Sequence, residues 1–308
     1  MAVVVTGSTG FIGRHLVHAL VAAGHQVLAL DRRPATGLPA GAWPLVADLL
    51  DAEAADALLD AEAVFHLAAR PGVRGSGGPE SARTELRLRH RDNVLATAAV
   101  LAATPLSTPL VVTSSSSVYG GTARPGRPSR ETDPLRPRGG YARSKVEVEQ
   151  LCEQRRAAGG AVAVARPFTV AGEGQRPDMA LARWITATSA GRPVTVLGSP
   201  LRTRDVTDVR DVVCGLQLLA EVGLGRTVNL GTGVSRPLTA LLDAVCAAVR
   251  APVEVRSQPA AYDEVADTCA DTRRCQRLLG FTPSTDLDEV VRRQVAAAGV
   301  ETCEAARG

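Results

Sequence analysis

"AVVVTGSTGFIG", residues 2–13, decides the fold. The run Ala2–Thr6 is short, apolar and β-branched, which reads as a buried strand. Gly7, Gly10 and Gly13 follow within one turn of chain. Without Cβ atoms the backbone can bend sharply and admit a pyrophosphate to a helix N-terminus, where free N–H groups and the helix dipole favour an anion. From Phe11 to Ala23 the apolar spacing is helical, with Gly24 as a stop. A strand, a glycine turn and a helix at the start of the chain predict a dinucleotide site.

The same alternation continues outward. "QVLALD" (26–31) and "AVFHLA" (63–68) read as strands, about 80–103 as a long helix, and "PLVVTSS" (109–115) as another strand. "YARSKVEVEQLCEQRRAAGG" reads as a helix ending in glycines, followed by the strand "AVAVARP" (161–167). Repeated strand–helix–strand units imply a parallel sheet covered on both faces. The expected class is α/β: a doubly wound parallel sheet of the Rossmann type over 1–170, with a smaller C-terminal lobe over 171–308. Part of about 204–232 is expected to return to the first sheet. The Pro-, Gly- and Arg-rich stretch 122–140 reads as a loop.

Composition narrows the function. The chain has 308 residues, 45% hydrophobic, enough for a large core without disulfides or metal. A net charge of +3 with 3% aromatics argues against a nucleic-acid partner. Six cysteines show no C-x-x-C pair and no metal-ligand spacing, so they read as reduced packing residues of a cytoplasmic protein. No signal peptide or membrane span is expected.

Asp31 closes the second strand, where an acid meets ribose hydroxyls and repels a 2′-phosphate. That favours NAD, although Arg32 and Arg33 follow and leave NADP open. Asp48, with Leu49, borders the expected adenine side or is a solvated loop acid. Leu67, Ala68 and Ala69 stand at a strand end where sheets meet ligands. His66 reads as a packed residue. Phe11, Ile12, Arg32, Asn93, Tyr141 and Lys145 complete the expected cofactor contacts.

Lys145 is the only lysine among 35 Lys and Arg residues. It lies four residues after Tyr141, on one helix face. A free phenol titrates near pKa ~10. An ammonium about 4–5 Å away contributes on the order of 4 kcal/mol at an effective dielectric of ~20. The expectation is therefore that Lys145 lowers the Tyr141 phenol, partly opposed by desolvation. Arg brings charge but not a compact ammonium, which explains a lone Lys in an Arg-rich chain. Ser115, in "VVTSSSSVYG" (111–120), is the expected hydroxyl partner; Ser116 and Ser117 read equally as turn serines.

Together these motifs resemble the extended short-chain dehydrogenase/reductases, the NAD-dependent epimerase/dehydratase family. The resemblance covers nearly the whole chain. It implies NAD, a nucleotide-sugar substrate, a homodimer, and catalysis by Ser115, Tyr141 and Lys145. Asn93 in "DNVLAT" matches a recurring helix asparagine near the active site. "SSSSVYG", "PGVRGS" (71–76) and "RPFTVAGEGQRPDMA" (166–180) look most like the UDP-glucuronate 4-epimerases. That likeness places Thr169, Arg176 and Arg74 near a sugar carboxylate, with Ser115, Ser116 and Ser117 beside the sugar; Arg176 reads equally as a phosphate contact or a surface charge. Arg204, in the Arg-Asp pair of "LRTRDVTDVRDVV", would contact the diphosphate. The chain departs from the pattern at Ala171, Asp208 and Arg210, and at Ala261, where the family usually has a pyrophosphate-gripping arginine. The implied reaction is epimerisation at C4 of a UDP-sugar through a 4-keto sugar. A 4-ketoreductase of an NDP-deoxysugar and a non-catalytic NAD-binding protein are the competing readings.

Overall fold

The structure, a computed structural model, describes residues 2–72, 79–124, 126–260 and 264–299. In chain order the first part runs β1 (Val3–Thr6), α1 (Phe11–Ala22), β2 (Val27–Asp31), β3 (Ala42–Val46), α2 (Ala52–Leu59) and β4 (Ala63–His66). It continues through α3 (Pro79–Arg89), α4 (Ala96–Ala103), β5 (Leu110–Thr113), α5 (Gly139–Ala157) and β6 (Val162–Pro167). The remainder runs β7 (Thr169–Ala171), α6 (Ala180–Ser189), β8 (Val194–Leu197), β9 (Thr203–Asp208), α7 (Val209–Val222) and β10 (Thr227–Leu230). β11 (Ser235–Pro237), α8 (Leu238–Val249), β12 (Val255–Gln258), α9 (Arg273–Leu279) and α10 (Leu287–Ala297) follow.

Seven parallel strands form one sheet in the order β10-β6-β5-β4-β1-β2-β3. The chain reverses direction of growth between β1 and β4. Ligands of such sheets sit at that reversal, beyond the strand C-termini. Alternate strand residues serve opposite faces. Val3, Val5, Phe65 and Val111 pack under Leu16, Val17 and Leu20 of α1 and Val212 and Leu216 of α7. Val4, Val64, Leu110 and Val112 pack under Leu58, Val100 and Val148 of α2, α4 and α5. Each fully buried Leu or Val side chain contributes roughly 1.5–3 kcal/mol. This double cover explains why the strands read as continuous apolar runs rather than alternating ones.

A second core joins Trp184 and Ile185 of α6, Val194 and Val196 of β8, Leu241 and Val245 of α8, and Val290 and Val291 of α10. β7, β9 and β11 form a three-stranded sheet, and β8 pairs with β12. Among the described residues no helix is long and apolar enough to cross a membrane. Five described cysteines are free thiols.

The expected helix over 80–103 is interrupted. His90–Leu95 is a π-helical turn between α3 and α4. The extra residue of such a turn re-aims side chains. Here it buries Asp92 and Asn93 together, 6% and 1% exposed.

Candidate active site

The glycine turn joins β1 to α1 with Gly7 at φ +70°, a conformation that L side chains rarely adopt. A Cβ on Gly7 would stand 2.6 Å from the Ala68 backbone nitrogen. One on Gly13 would stand 2.2 Å from the Gly7 carbonyl oxygen. The turn is thus pressed between the β4 end and the first turn of α1, whose leading N–H groups have no intrahelical acceptor. The Ser8 hydroxyl is buried without a partner. A backbone cradle with an orphaned hydroxyl fits a bound diphosphate. Leu67, Ala68 and Ala69, part-exposed, line its other side. Phe11 sets its ring edge-on to His15, and Ile12 packs into the core below.

Asp31, at the β2 end, accepts from Thr9 Oγ1 at 2.7 Å, from the Thr9 N–H at 3.1 Å and from the Arg33 N–H at 3.1 Å. These bonds fix the carboxylate and leave it acceptor capacity for ribose hydroxyls. Of the two arginines that left NADP open, Arg33 stays beside Asp31, with Nε 3.8 Å from its carboxylate, while Arg32 is drawn away. Arg33 donates to Thr9 Oγ1 at 2.8 Å. Arg32 pairs with Asp92 through two bonds of 3.0 and 3.2 Å, and lies 3.8 Å from Asp48. Asp48 also takes a bond from Arg91, and that pairing draws its carboxyl below the usual range against the opposing effect of burial. Leu49 beside it is buried. Asn93 serves the protein rather than an open face. Its amide accepts from the Arg70 N–H at 2.6 Å and donates to the Arg70 carbonyl and the Ser144 hydroxyl. It ties the loop after β4 to α5.

Tyr141 and Lys145 stand one turn apart on α5, with Nζ 5.9 Å from the phenol ring centroid. Nζ donates to the Thr113 carbonyl at 2.7 Å, at the end of β5. The Ser115 side chain lies close enough to the Tyr141 phenol to count among the groups that favour its phenolate. Ser115 also accepts from the Ser117 N–H at 3.1 Å and so caps the short 3-10 turn Ser116–Tyr119. The Ser117 hydroxyl is buried and unpartnered. Gly72 lies against the Tyr141 ring: a Cβ there would be 3.1 Å from Tyr141 Cβ and Cγ. Glycine turn, β4 end, phenol, serine and ammonium therefore share one edge of the sheet.

The electrostatics correct one expectation. The Tyr141 phenol lies above its usual range, not below it, because burial outweighs everything that stabilises the phenolate. The Ser115 side chain comes next, then the charges of Arg176 and Arg89. Lys145 is not among the groups that pull it down, since its ammonium is turned onto Thr113 and is itself desolvated, to about 8. His66 is a packed residue, as expected. It bridges Thr6 and Thr97 at 2.7 and 2.9 Å, and burial, then the Lys145 charge, lowers it to about 3.

On the far wall, Thr169 lies on β7 and is part-exposed. Arg176 is held by Asp178 through both nitrogens of one fork, one bond at 2.9 Å. Sequence reasoning did not single out Asp178. Arg204 is turned to Glu264 at 2.6 Å and to the carbonyls of Thr203, Val265 and Ala266. The departures at Asp208 and Arg210 have structural explanations: Asp208 caps α7 and pairs with Arg293, and Arg210 pairs with Glu173. Ala171 is buried in the second core. Arg74 and Ala261 lie outside the described residues.

Comparison with known proteins agrees with this geometry. Residues 3–231 match the model of the NAD dependent epimerase/dehydratase family. The chain is 30% identical to an uncharacterized UDP-glucose epimerase, YtcB, of Bacillus subtilis, over 96% of this chain and 97% of that protein. It is 29% identical to a probable UDP-glucuronate 4-epimerase of Rhizobium meliloti, over 96% of each. Among solved structures, MoeE5 in complex with UDP-glucose and NAD superposes with a TM-score of 0.87 at 37% identity, covering 97% of this chain and 99% of MoeE5. A MoeE5 complex with UDP-glucuronic acid and NAD matches equally well at 36% identity. The UDP-glucuronic acid 4-epimerase of Bacillus cereus, with UDP-glucuronic acid and NAD, also gives 0.87, at 26% identity and the same coverage.

Proposed function

The chain belongs to the NAD-dependent epimerase/dehydratase family of enzymes, and from that premise we propose that it inverts C4 of a UDP-hexuronate, interconverting UDP-glucuronate and UDP-galacturonate. The observation that carries the chemistry is the placing of the Ser115 side chain beside the Tyr141 phenol, with the Lys145 ammonium 5.9 Å from the phenol ring centroid. The observation that favours a uronate is Arg176, whose charge reaches the same phenol.

The roles follow from the positions. Gly7, Gly10, Gly13 and Ser8 would hold the diphosphate of NAD, and Asp31 its adenosine ribose. Bound NAD supplies the hydride acceptor and donor. Tyr141 takes the proton of the C4 hydroxyl and later returns it. Ser115 bonds the same sugar oxygen, so the phenol is not alone in holding it. The phenol lies above its usual value through burial, so catalysis would need the ammonium of Lys145 engaged beneath it. Thr169 and Arg176 would hold the carboxylate in the plane of the C4 carbonyl, a bidentate grip suited to Arg. That grip suppresses loss of CO2 from the β-keto acid. For it to form, Asp178 must release Arg176. The neutralised Arg176–Asp178 pair favours a second reading, in which a neutral hexose such as UDP-glucose is the substrate. A homodimer through α3 to α5 completes the proposal, supported by Leu86 and Leu95 standing 52% and 46% exposed there.

The test is incubation of the purified protein, without added cofactor, with UDP-glucuronate, UDP-galacturonate, UDP-glucose and UDP-GlcNAc, and separation of the products. UDP-galacturonate formed from UDP-glucuronate is expected. Conversion of UDP-glucose alone selects the second reading. Turnover only with stoichiometric NADPH would show a reductase instead.

A further inference from the structure

Lys145 has a potential counter-ion that it does not use. Tyr141, Lys145 and Glu149 recur every four residues along α5 and so share one face. Each meets the tail of β5: Tyr141 lies beside Ser115, Lys145 donates to the Thr113 carbonyl, and Glu149 accepts from Ser114 Oγ at 2.5 Å. Lys145 and Glu149 are both buried, 4% and 7% exposed. Yet among the described residues no carboxylate reaches ion-pairing distance of Nζ. Glu149 is instead taken by Arg166 on β6, at 2.8 Å to Oε1 and 2.6 Å to Oε2. Arg166, 4% exposed, is itself locked. It donates to Tyr119 Oη at 2.8 Å, stacks 4.9 Å from that ring, and Tyr119 donates onward to Asn229 at 2.6 Å.

We propose that Arg166 is a positioning residue for Lys145: by holding both oxygens of Glu149, it stops that carboxylate from capturing the ammonium one helical turn away. An ammonium has three donors. With one on Thr113 and none on a carboxylate, two remain for the cofactor side of the sheet. Paired to Glu149, the ammonium would swing towards the C-terminal end of α5 and away from Tyr141.

The other groups around Lys145 do not substitute for Glu149. From its own helix come the Tyr141 phenol and the Cys152 thiol, which burial pushes up to about 12. From β4 comes His66, neutral through burial. In the π-helical turn Asp92 is engaged by Arg32 and Arg91, and on α3 Arg89 lies 3.7 Å from Glu85. Burial lowers Lys145 to about 8, with Cys152 and then Glu149 pulling the other way.

The lone lysine makes this directly measurable. Protein grown with lysine labelled with carbon-13 at Cε gives a single lysine resonance, whose pH titration reports Lys145 alone. In Arg166→Met the freed carboxylate should raise the midpoint by about one pH unit or more. In the neutral double variant Glu149→Gln/Arg166→Met it should return to the wild-type value. A merely structural role would instead admit water and raise the midpoint in both. A midpoint in Arg166→Met within about 0.3 unit of wild type overturns the proposal, as does an equal rise in the double variant. If Arg166→Met does not fold, Glu149→Gln decides: a lower midpoint is expected, because Arg166 is left as an unpaired cation, and an unchanged or higher one overturns the proposal. The measurement needs neither substrate nor turnover, so it stands apart from the choice of sugar.

Discussion

The two walls of the candidate site handle charge in opposite ways. On the Rossmann wall the working groups are held by backbone and left with capacity to spare: Lys145 has one protein acceptor, Ser8 has none, and the glycine turn offers bare N–H groups. On the opposite wall the cations are already matched by internal carboxylates, Arg176 by Asp178, Arg204 by Glu264 and Arg210 by Glu173. The first wall is preorganised for one ligand. The second, if it holds the sugar as proposed, would have to exchange partners to admit it. Cofactor binding should therefore be tight and invariant, while sugar preference should respond to single substitutions.

The largest test of this contrast is Tyr141→Phe. It removes the proposed proton acceptor and leaves the cradle, so turnover should fall about 10³-fold, within the range for a lost general base. Retained NAD, measured after denaturation, should be unchanged. Activity above a tenth of wild type would break the assignment of the preorganised wall.

Lys145→Met comes next. Turnover should fall about 10²-fold, yet thermal stability should rise by several degrees, because a buried ammonium without a counter-ion is costly to the fold. The pH dependence follows from its position near 8, against 10.5 for an exposed lysine. Between those values the unfolded chain binds more protons than the folded one. Wild-type stability should thus climb as pH rises from about 8 to about 10.5. Urea midpoints across that window should lose this climb in Lys145→Met.

Gly7→Ala attacks the cradle. At φ +70° with 2.6 Å to Ala68 the methyl has no room, and NAD affinity should drop roughly tenfold with about 1–3 kcal/mol of lost stability. Calorimetric titration of NAD into stripped protein reads the first, urea unfolding the second.

The smallest effect sharpens the second wall. Asp178→Asn frees Arg176 from a part-exposed ion pair, worth about 0.2–1 kcal/mol. The ratio of kcat/KM for UDP-glucuronate over UDP-glucose should rise two- to fivefold. A fall would mean that Asp178 helps the carboxylate grip rather than competing with it.

What the sequence revealed, and what it hid, follows the same divide. The strand, the glycine turn, the Asp31 strand end and the Tyr141–Lys145 spacing are local patterns, and each is legible within a few residues. The partners are not. Arg32 meets Asp92 across 60 residues, Arg204 meets Glu264 across 60, and Arg166 meets Glu149 across 17. No periodicity announces such pairs. The sign of the Tyr141 shift is hidden for a related reason: proximity of charge can be read from helical spacing, but the depth of burial is a tertiary quantity. The π-helical turn was hidden too, because one inserted residue leaves the helical pattern of 80–103 almost intact.

The seven-stranded sheet carries one last implication. The chain leaves it after β6 to lay down β7 and β9, re-enters through α7 and β10, departs again for β11 and α8, and comes back with α9 before finishing on α10. The lobes are stitched together like cloth rather than joined by a single strap. A polypeptide severed between them would give two fragments, each lacking part of its own core, and a wide swing of one lobe about the other would tear several seams at once. If the proposed sugar nucleotide is the substrate, its entry should then depend on rearranging loops and swapping ion-pair partners along the rim.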